Sequence, residues 1–134
     1  MIGAATRRRV RERASRRCEY CGMHQDVEPF VTYQVEHIVA KQHGGNDDLE
    51  NLALACSHCN LHKGPNLTGI DPVTGEIARL FHPRSDAWIE HFQFIGAEIL
   101  GLTPTGRTTV RVLEMNSRTR IDLRLEAQES DSQS

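Results

Sequence analysis

An α+β fold is what this sequence predicts, and three observations carry the reading. Two Cys-x-x-Cys pairs, Cys18 with Cys21 and Cys56 with Cys59, account for all four cysteines of the chain. Between them the alternating set Val31, Tyr33, Val35 and His37 has the period of a strand, and Leu49, Leu52 and Leu54 frame a second, short one. The second cysteine pair then opens a stretch to Lys63 that Gly64-Pro65 closes, which reads as a short helix with Ser57 as its cap. Strand, loop, strand and helix make a compact ββα unit pinned at both ends.

The flanking elements follow from local composition. Residues 4–17 lack Gly and Pro, are rich in arginine, and carry Val10 and Ala14 four apart on one face, so a basic helix leads into the first cysteine pair. Gly22 supplies the positive φ of the turn after Cys21. Arg16 and Arg17, next to Cys18, are expected to offset negative charge on the sulfurs. Gly44-Gly45-Asn46-Asp47-Asp48 is a dense turn signal, and Asn51 stands at the start of the second strand. Residues 64–76 read as a connecting loop. Beyond them β-like runs recur at Ile77 to Phe81, His91 to Ile95 and Glu98 to Thr103, with Gly96 marking a hairpin. Thr103-Pro104 and Gly106 mark a turn, and Thr108 to Met115 reads as a helix with Val112 or Leu113 facing inward. The acidic, Ser/Gln-rich segment 126–134 is expected to be disordered. The whole is one domain over residues 1–125, with its core at 18–64 and an extension at 77–124.

Spacing also sets the chemistry. Each Cys-x-x-Cys pair can give two thiolates to one tetrahedral ion, so two pairs complete a closed structural zinc site. Two disulfides are the competing use, and paired knuckles behind an arginine-rich rather than apolar leading stretch fit a reducing compartment better. A soluble, cytoplasmic protein is therefore expected, with no run apolar enough for a membrane span. Formal net charge is −2, yet it is segregated: seven arginines against one Glu in residues 1–17, six acids against one Lys in 26–50, and five arginines against two acids in 107–124. Basic surfaces around an acidic, cation-attracting centre suit a metal-dependent enzyme acting on a polyanion, whereas the ordinary reading of either arginine cluster alone is a solvated helix face.

Cleaving a phosphodiester requires an activated water and a cation to neutralise the scissile phosphate. A neutral histidine is a suitable base near neutral pH. A carboxylate and an amide aimed at one point can hold a single Mg²⁺ or Mn²⁺. Glu36 and His37 are adjacent, and neighbouring strand residues point oppositely unless the strand ends or kinks between them. The loop that follows makes such an ending plausible.

Taken together, Cys18-x-x-Cys21, Glu36-His37-Ile38, Gly44-Gly45, Asn51-Leu52, Cys56-x-x-Cys59-Asn60 and Lys63 resemble the HNH endonuclease family, the zinc-stapled branch of the ββα-metal nucleases. The resemblance implies an α+β, ββα-metal core with His37 as the general base. It implies Glu36 and Asn60 as ligands of a catalytic Mg²⁺ or Mn²⁺, Asn51 as a brace of the loop that positions His37, and Lys63 as a contact to the backbone phosphate. Cys18, Cys21, Cys56 and Cys59 would hold the structural Zn²⁺. Glu36 stands where the family usually has Asp, and Asn60 where the family name calls for its last His, a hard oxygen donor that suits Mg²⁺.

The expected activity is metal-dependent hydrolysis of DNA, double-stranded and with low sequence specificity, by a monomer or weak dimer. A zinc-stapled nucleic-acid-binding module without catalysis is the alternative, and an RNA substrate is a third possibility. His43, His58 and His62 are weighed as supplements to the site and favoured as polar surface residues. His82 and His91 carry no motif, and Trp88 reads as a core anchor rather than a platform for bases.

Overall fold

The computed structural model describes residues 2–133. Helix α1 spans Ala4–Arg13 and buries Val10. It ends earlier than the arginine-rich run predicts because Ser15 and Arg16 take left-handed φ values of 54° and 58°, turning the chain into the first cysteine pair. Arg13 is not a solvated face residue: its guanidinium donates to the carbonyls of Leu49 at 3.0 Å and Leu52 at 2.6 Å. This ties α1 to the start of the second strand.

Strand β1 covers Gln34–His37 and pairs antiparallel with β2, Leu52–Ala55, in a register that sets His37 opposite Leu52. β2 is buried along its whole length, which explains its run of Leu and Ala. The strand expected from residue 30 begins later for a traceable reason. Gln25 accepts from the Tyr33 N–H at 3.0 Å and donates to the Val31 carbonyl at 2.5 Å, so a side chain takes backbone groups a ladder would need.

Helix α2, Ser57–Lys63, completes the ββα unit. Its cap is Cys56, whose sulfur accepts from the Cys59 N–H at 3.3 Å, and Ser57 is already inside the helix. The segment expected to be a loop carries β3, Thr68–Ile70, paired antiparallel with β4, Ile77–Arg79. Asp71 at its turn accepts from the Val73 N–H at 3.0 Å and from both arms of Arg107, at 3.0 and 2.7 Å. Three residues with a central glycine are too short a pattern to read as a strand in advance.

A single-turn helix α3, Trp88–His91, precedes the hairpin of β5, Phe92–Ile95, and β6, Glu98–Gly101, which turns at Gly96 as the sequence predicts. Helix α4 runs Pro104–Val112, so Thr103-Pro104 opens a helix rather than a turn. Thr103 Oγ1 accepts from the Gly106 N–H at 3.0 Å, and proline occupies the first turn, where no N–H is missed. Leu113, just past this helix, is fully buried.

Helix α5 covers Arg118–Gln133, where the composition predicts disorder beyond residue 125. Arg120 and Arg124 bury their side chains against the core, and Gln128 donates to the Gly96 carbonyl at 3.0 Å. Ser134 lies outside the described residues. The core gathers Val10, Tyr20, Tyr33, Leu52, Leu54, Phe81, Phe92, Ile99 and Leu113, so the extension packs on the ββα unit. Trp88 anchors that junction by donating to the Tyr20 carbonyl at 2.7 Å and packing on Phe92 and Phe94. No helix among the described residues is long and apolar enough to cross a membrane.

Candidate metal centre and histidine site

The four cysteine sulfurs converge. All lie within 4.8 Å of one another, and those of Cys21 and Cys56 are 3.8 Å apart. A zinc tetrahedron with Zn–S bonds of about 2.3 Å has edges of about 3.8 Å, so the donor set fits the ion. Gly22, with φ 81°, makes the turn that folds Cys21 back beside Cys18, and its N–H donates to the Cys18 carbonyl at 2.9 Å. N–H groups of Cys21 and Cys59 point at the sulfurs of Cys18 and Cys56, at 3.5 and 3.3 Å.

Four thiolates around one Zn²⁺ leave two negative charges in a buried place. Arg16 and Arg17 were expected to offset them, yet Arg16 pairs with Asp26 at 3.2 Å and Arg17 donates to the Gly22 carbonyl at 3.1 Å. The cation at the sulfurs comes from helix α5 instead. Arg120 donates to Cys56 Sγ at 3.4 Å and to Glu28 at 2.5 Å, and is 5% exposed. It is remote in sequence, so no local signal marks it.

His37 closes β1, and its ring meets a residue the sequence reading treated only as part of a turn. Its Nε2 lies 2.7 Å from Asp47 Oδ1, while its Nδ1 has no hydrogen-bond partner among the described residues. Lys41 donates to the same carboxylate at 3.0 Å. These two hydrogen bonds, that of His37 first, hold the Asp47 carboxyl well below the usual carboxylate range.

Asn51 closes the loop that carries Asp47. Its Oδ1 accepts from the Val39 N–H at 2.8 Å, and its Nδ2 donates to the carbonyls of Val39 and Asn46, both at 2.9 Å. Gly45 passes so close that a Cβ there would stand 1.8 Å from the Val39 carbonyl oxygen. Only glycine lets the loop fold back this tightly. These contacts tie Asn51 to both ends of the loop between Val39 and Asn46.

Glu36, one residue before His37, faces the other way. It is 7% exposed and opposite Ala53 in the register. Tyr20, between the first two cysteines, donates its hydroxyl to Glu36 Oε1, and the Lys63 ammonium lies 3.6 Å from Oε2. Burial raises the Glu36 carboxyl above its ordinary range, against the opposing pull of Lys63 and Tyr20. Lys63 is itself 2% exposed and donates to the Ile38 carbonyl at 2.9 Å. Neither side chain is thus where the resemblance puts it. Period-2 alternation turns Glu36 inward once His37 turns outward, and Lys63 follows to compensate its charge.

Asn60 sits partly exposed on α2 with no side-chain hydrogen bond among the described residues. Its neighbours His58 and His62 are engaged in packing. His58 Nε2 is 2.8 Å from the Glu114 carbonyl, and His62 Nε2 is 2.7 Å from the Glu114 carboxylate, so both join α2 to the corner after α4. His82 and His91 are likewise structural: His82 Nδ1 accepts from the Arg84 N–H at 3.1 Å, and His91 Nδ1 lies 2.6 Å from Thr103 Oγ1.

The arrangement offers a rigid zinc staple and one outward histidine whose ring is held by a carboxylate. Comparison with known proteins agrees with it. Residues 18–66 match the family model described as HNH endonuclease. No curated protein and no solved structure matches the chain. The matched segment runs from the first zinc cysteine to just beyond α2, so over the stapled ββα unit the chain is similar to the HNH endonuclease family.

Proposed function

We propose that the domain is a DNA endonuclease in which His37 activates the attacking water. The observation that carries this reading is the His37 ring at the end of β1, held through Nε2 while its other nitrogen has no partner among the described residues. On this reading Nδ1 takes a proton from water as the water oxygen bonds to phosphorus. The P–O bond to the leaving oxygen breaks, and the resulting imidazolium is stabilised by Asp47. Asn51 keeps the ring and carboxylate in register.

A divalent cation, Mg²⁺ or Mn²⁺, would supply charge neutralisation on the scissile phosphate and the leaving oxygen. Of the two residues expected to hold it, Asn60 is a partly exposed oxygen donor on α2 with no side-chain hydrogen bond among the described residues. Glu36 does not fit, because Tyr20 and Lys63 occupy its oxygens. We assign Glu36 and Lys63 to the support of β1 and α2.

Supercoiled plasmid incubated with the protein and with His37→Ala, in Mg²⁺, Mn²⁺ or EDTA, tests this. Cation-dependent conversion to open circles is expected, falling at least about 100-fold in the variant while bound zinc stays unchanged. Equal rates from both proteins would remove His37 as the base. Zinc-loaded protein that shifts DNA on a gel but never cuts it would be a binding module. Cleavage of RNA alone, in EDTA, would point to the substrate's own 2′-hydroxyl as nucleophile.

A further inference from the structure

Nothing in the family match or the motif assigns a role to Asp47. We propose that Asp47 is the positioning residue of His37, fixing the imidazole in the one neutral tautomer that leaves Nδ1 free to accept a proton. The proposal rests on the nuclease reading for its consequence, but its structural content can be tested without any activity.

The geometry is directional. At 2.7 Å the contact between His37 Nε2 and Asp47 Oδ1 is a hydrogen bond, and an ionised carboxylate can only accept. The proton of the neutral ring therefore sits on Nε2, and the lone pair on Nδ1. An imidazole without such a partner would exchange between its two tautomers, with the proton on Nδ1 for part of the time. Asp47 also orients the ring, since it fixes one vertex while the end of β1 fixes the other.

Asp47 can do this because the loop gives it no freedom. Asn51 holds the Asn46 carbonyl at 2.9 Å, the Asp48 N–H donates to Asn46 Oδ1 at 3.0 Å, and Gly45 is pressed on Val39. Asp47 is thus framed from both sides. Lys41 donates to the same carboxylate at 3.0 Å, and an aspartate is ionised, and hence an acceptor, near neutral pH with or without that partner. A surface ion pair with Lys41 is the ordinary role such an aspartate could have, so the test must separate the two.

Long-range ¹H–¹⁵N spectra of the zinc-loaded full chain, recorded about two pH units above the reference histidine pKa of about 6.5, report the tautomer directly. His37 in the parent protein should be the Nε2–H form. Asp47→Asn can present an amide N–H to Nε2 and should move the ring toward the Nδ1–H form, with kcat for plasmid nicking down about 10²- to 10⁴-fold and KM little changed. Asp47→Glu should recover part of both. Lys41→Met, which removes only the ion pair, should leave the tautomer as it is. A parent ring in the Nδ1–H form, or an Asp47→Asn protein with tautomer and kcat both intact, would overturn the proposal. A parent protein that cuts nothing yet shows a pure Nε2–H ring, lost on Asp47→Asn, would sink the nuclease reading and leave the role of Asp47 standing.

Discussion

Asn51 and Gly45 show how few atoms hold the histidine site. The Asn51 amide uses its oxygen and nitrogen on three backbone groups, so Asn51→Ala strands the Val39 N–H and the carbonyls of Val39 and Asn46 together. Loss of about 1–3 kcal/mol is expected from those unmade bonds, read from the chemical denaturation midpoint. Gly45→Ala should disturb the same loop by a different cause, because its new methyl meets a carbonyl oxygen that cannot move without β1. Both variants should show weakened amide-exchange protection over residues 38–51, and a fully protected loop in Asn51→Ala would refute the brace. Asn51 was legible as a site candidate only through the family resemblance. Asp47 was not, since Gly-Gly-Asn-Asp-Asp reads as turn chemistry and nothing in it says which aspartate faces the ring. The inward turn of Glu36 was half legible: alternation demanded that it and His37 diverge, but which of them took the core depended on Tyr20 and Lys63 being there to receive a carboxylate.

Helix α5 makes the corresponding case among the elements. Its sequence is acidic and polar toward the end and shows no strong amphipathic stripe, so composition favours disorder. Two arginines ahead of that stretch anchor the first half of the helix. Arg124 donates to the carbonyls of Ala97 at 2.9 Å and Met115 at 2.5 Å, and Arg120 bridges Glu28 to the Cys56 sulfur. The helix therefore supplies the positive charge beside the zinc thiolates. Arg120→Met keeps the volume and removes the charge. It is expected to cost about 3 kcal/mol, since Glu28 loses its buried partner, and to weaken zinc retention about 10- to 100-fold in competition with a chromogenic chelator. Unchanged chelator kinetics would show that the arginine serves only the ion pair. The arginine-rich run of residues 4–17 carries the opposite lesson. Arg13 and Arg17 spend their donors on backbone carbonyls of the chain itself, which a count of positive charges cannot foresee.

Across the whole molecule the zinc site is the point where separate parts meet. The first knuckle follows α1, the second caps α2, Tyr20 between the first cysteines reaches Glu36 in β1, and α5 lies against Cys56. Removing the metal leaves four thiols in place of one ion that binds them all, so stripping zinc with a strong chelator should abolish the cooperative thermal transition. Near-ultraviolet dichroism of Trp88, which donates to the Tyr20 carbonyl, reports that loss, and a transition that survives complete zinc removal would refute it. The sequence by itself determined the four-cysteine cluster and the ββα order, because each is fixed by residues a short spacing apart whose chemistry has few other uses. Only the tertiary structure decided that Glu36 and Lys63 belong to the core, that Asp47 holds the His37 ring, and that a terminal helix neutralises the thiolates. Those depend on which side chains meet across 10 to 92 residues of chain, a matter of packing that local pattern does not encode.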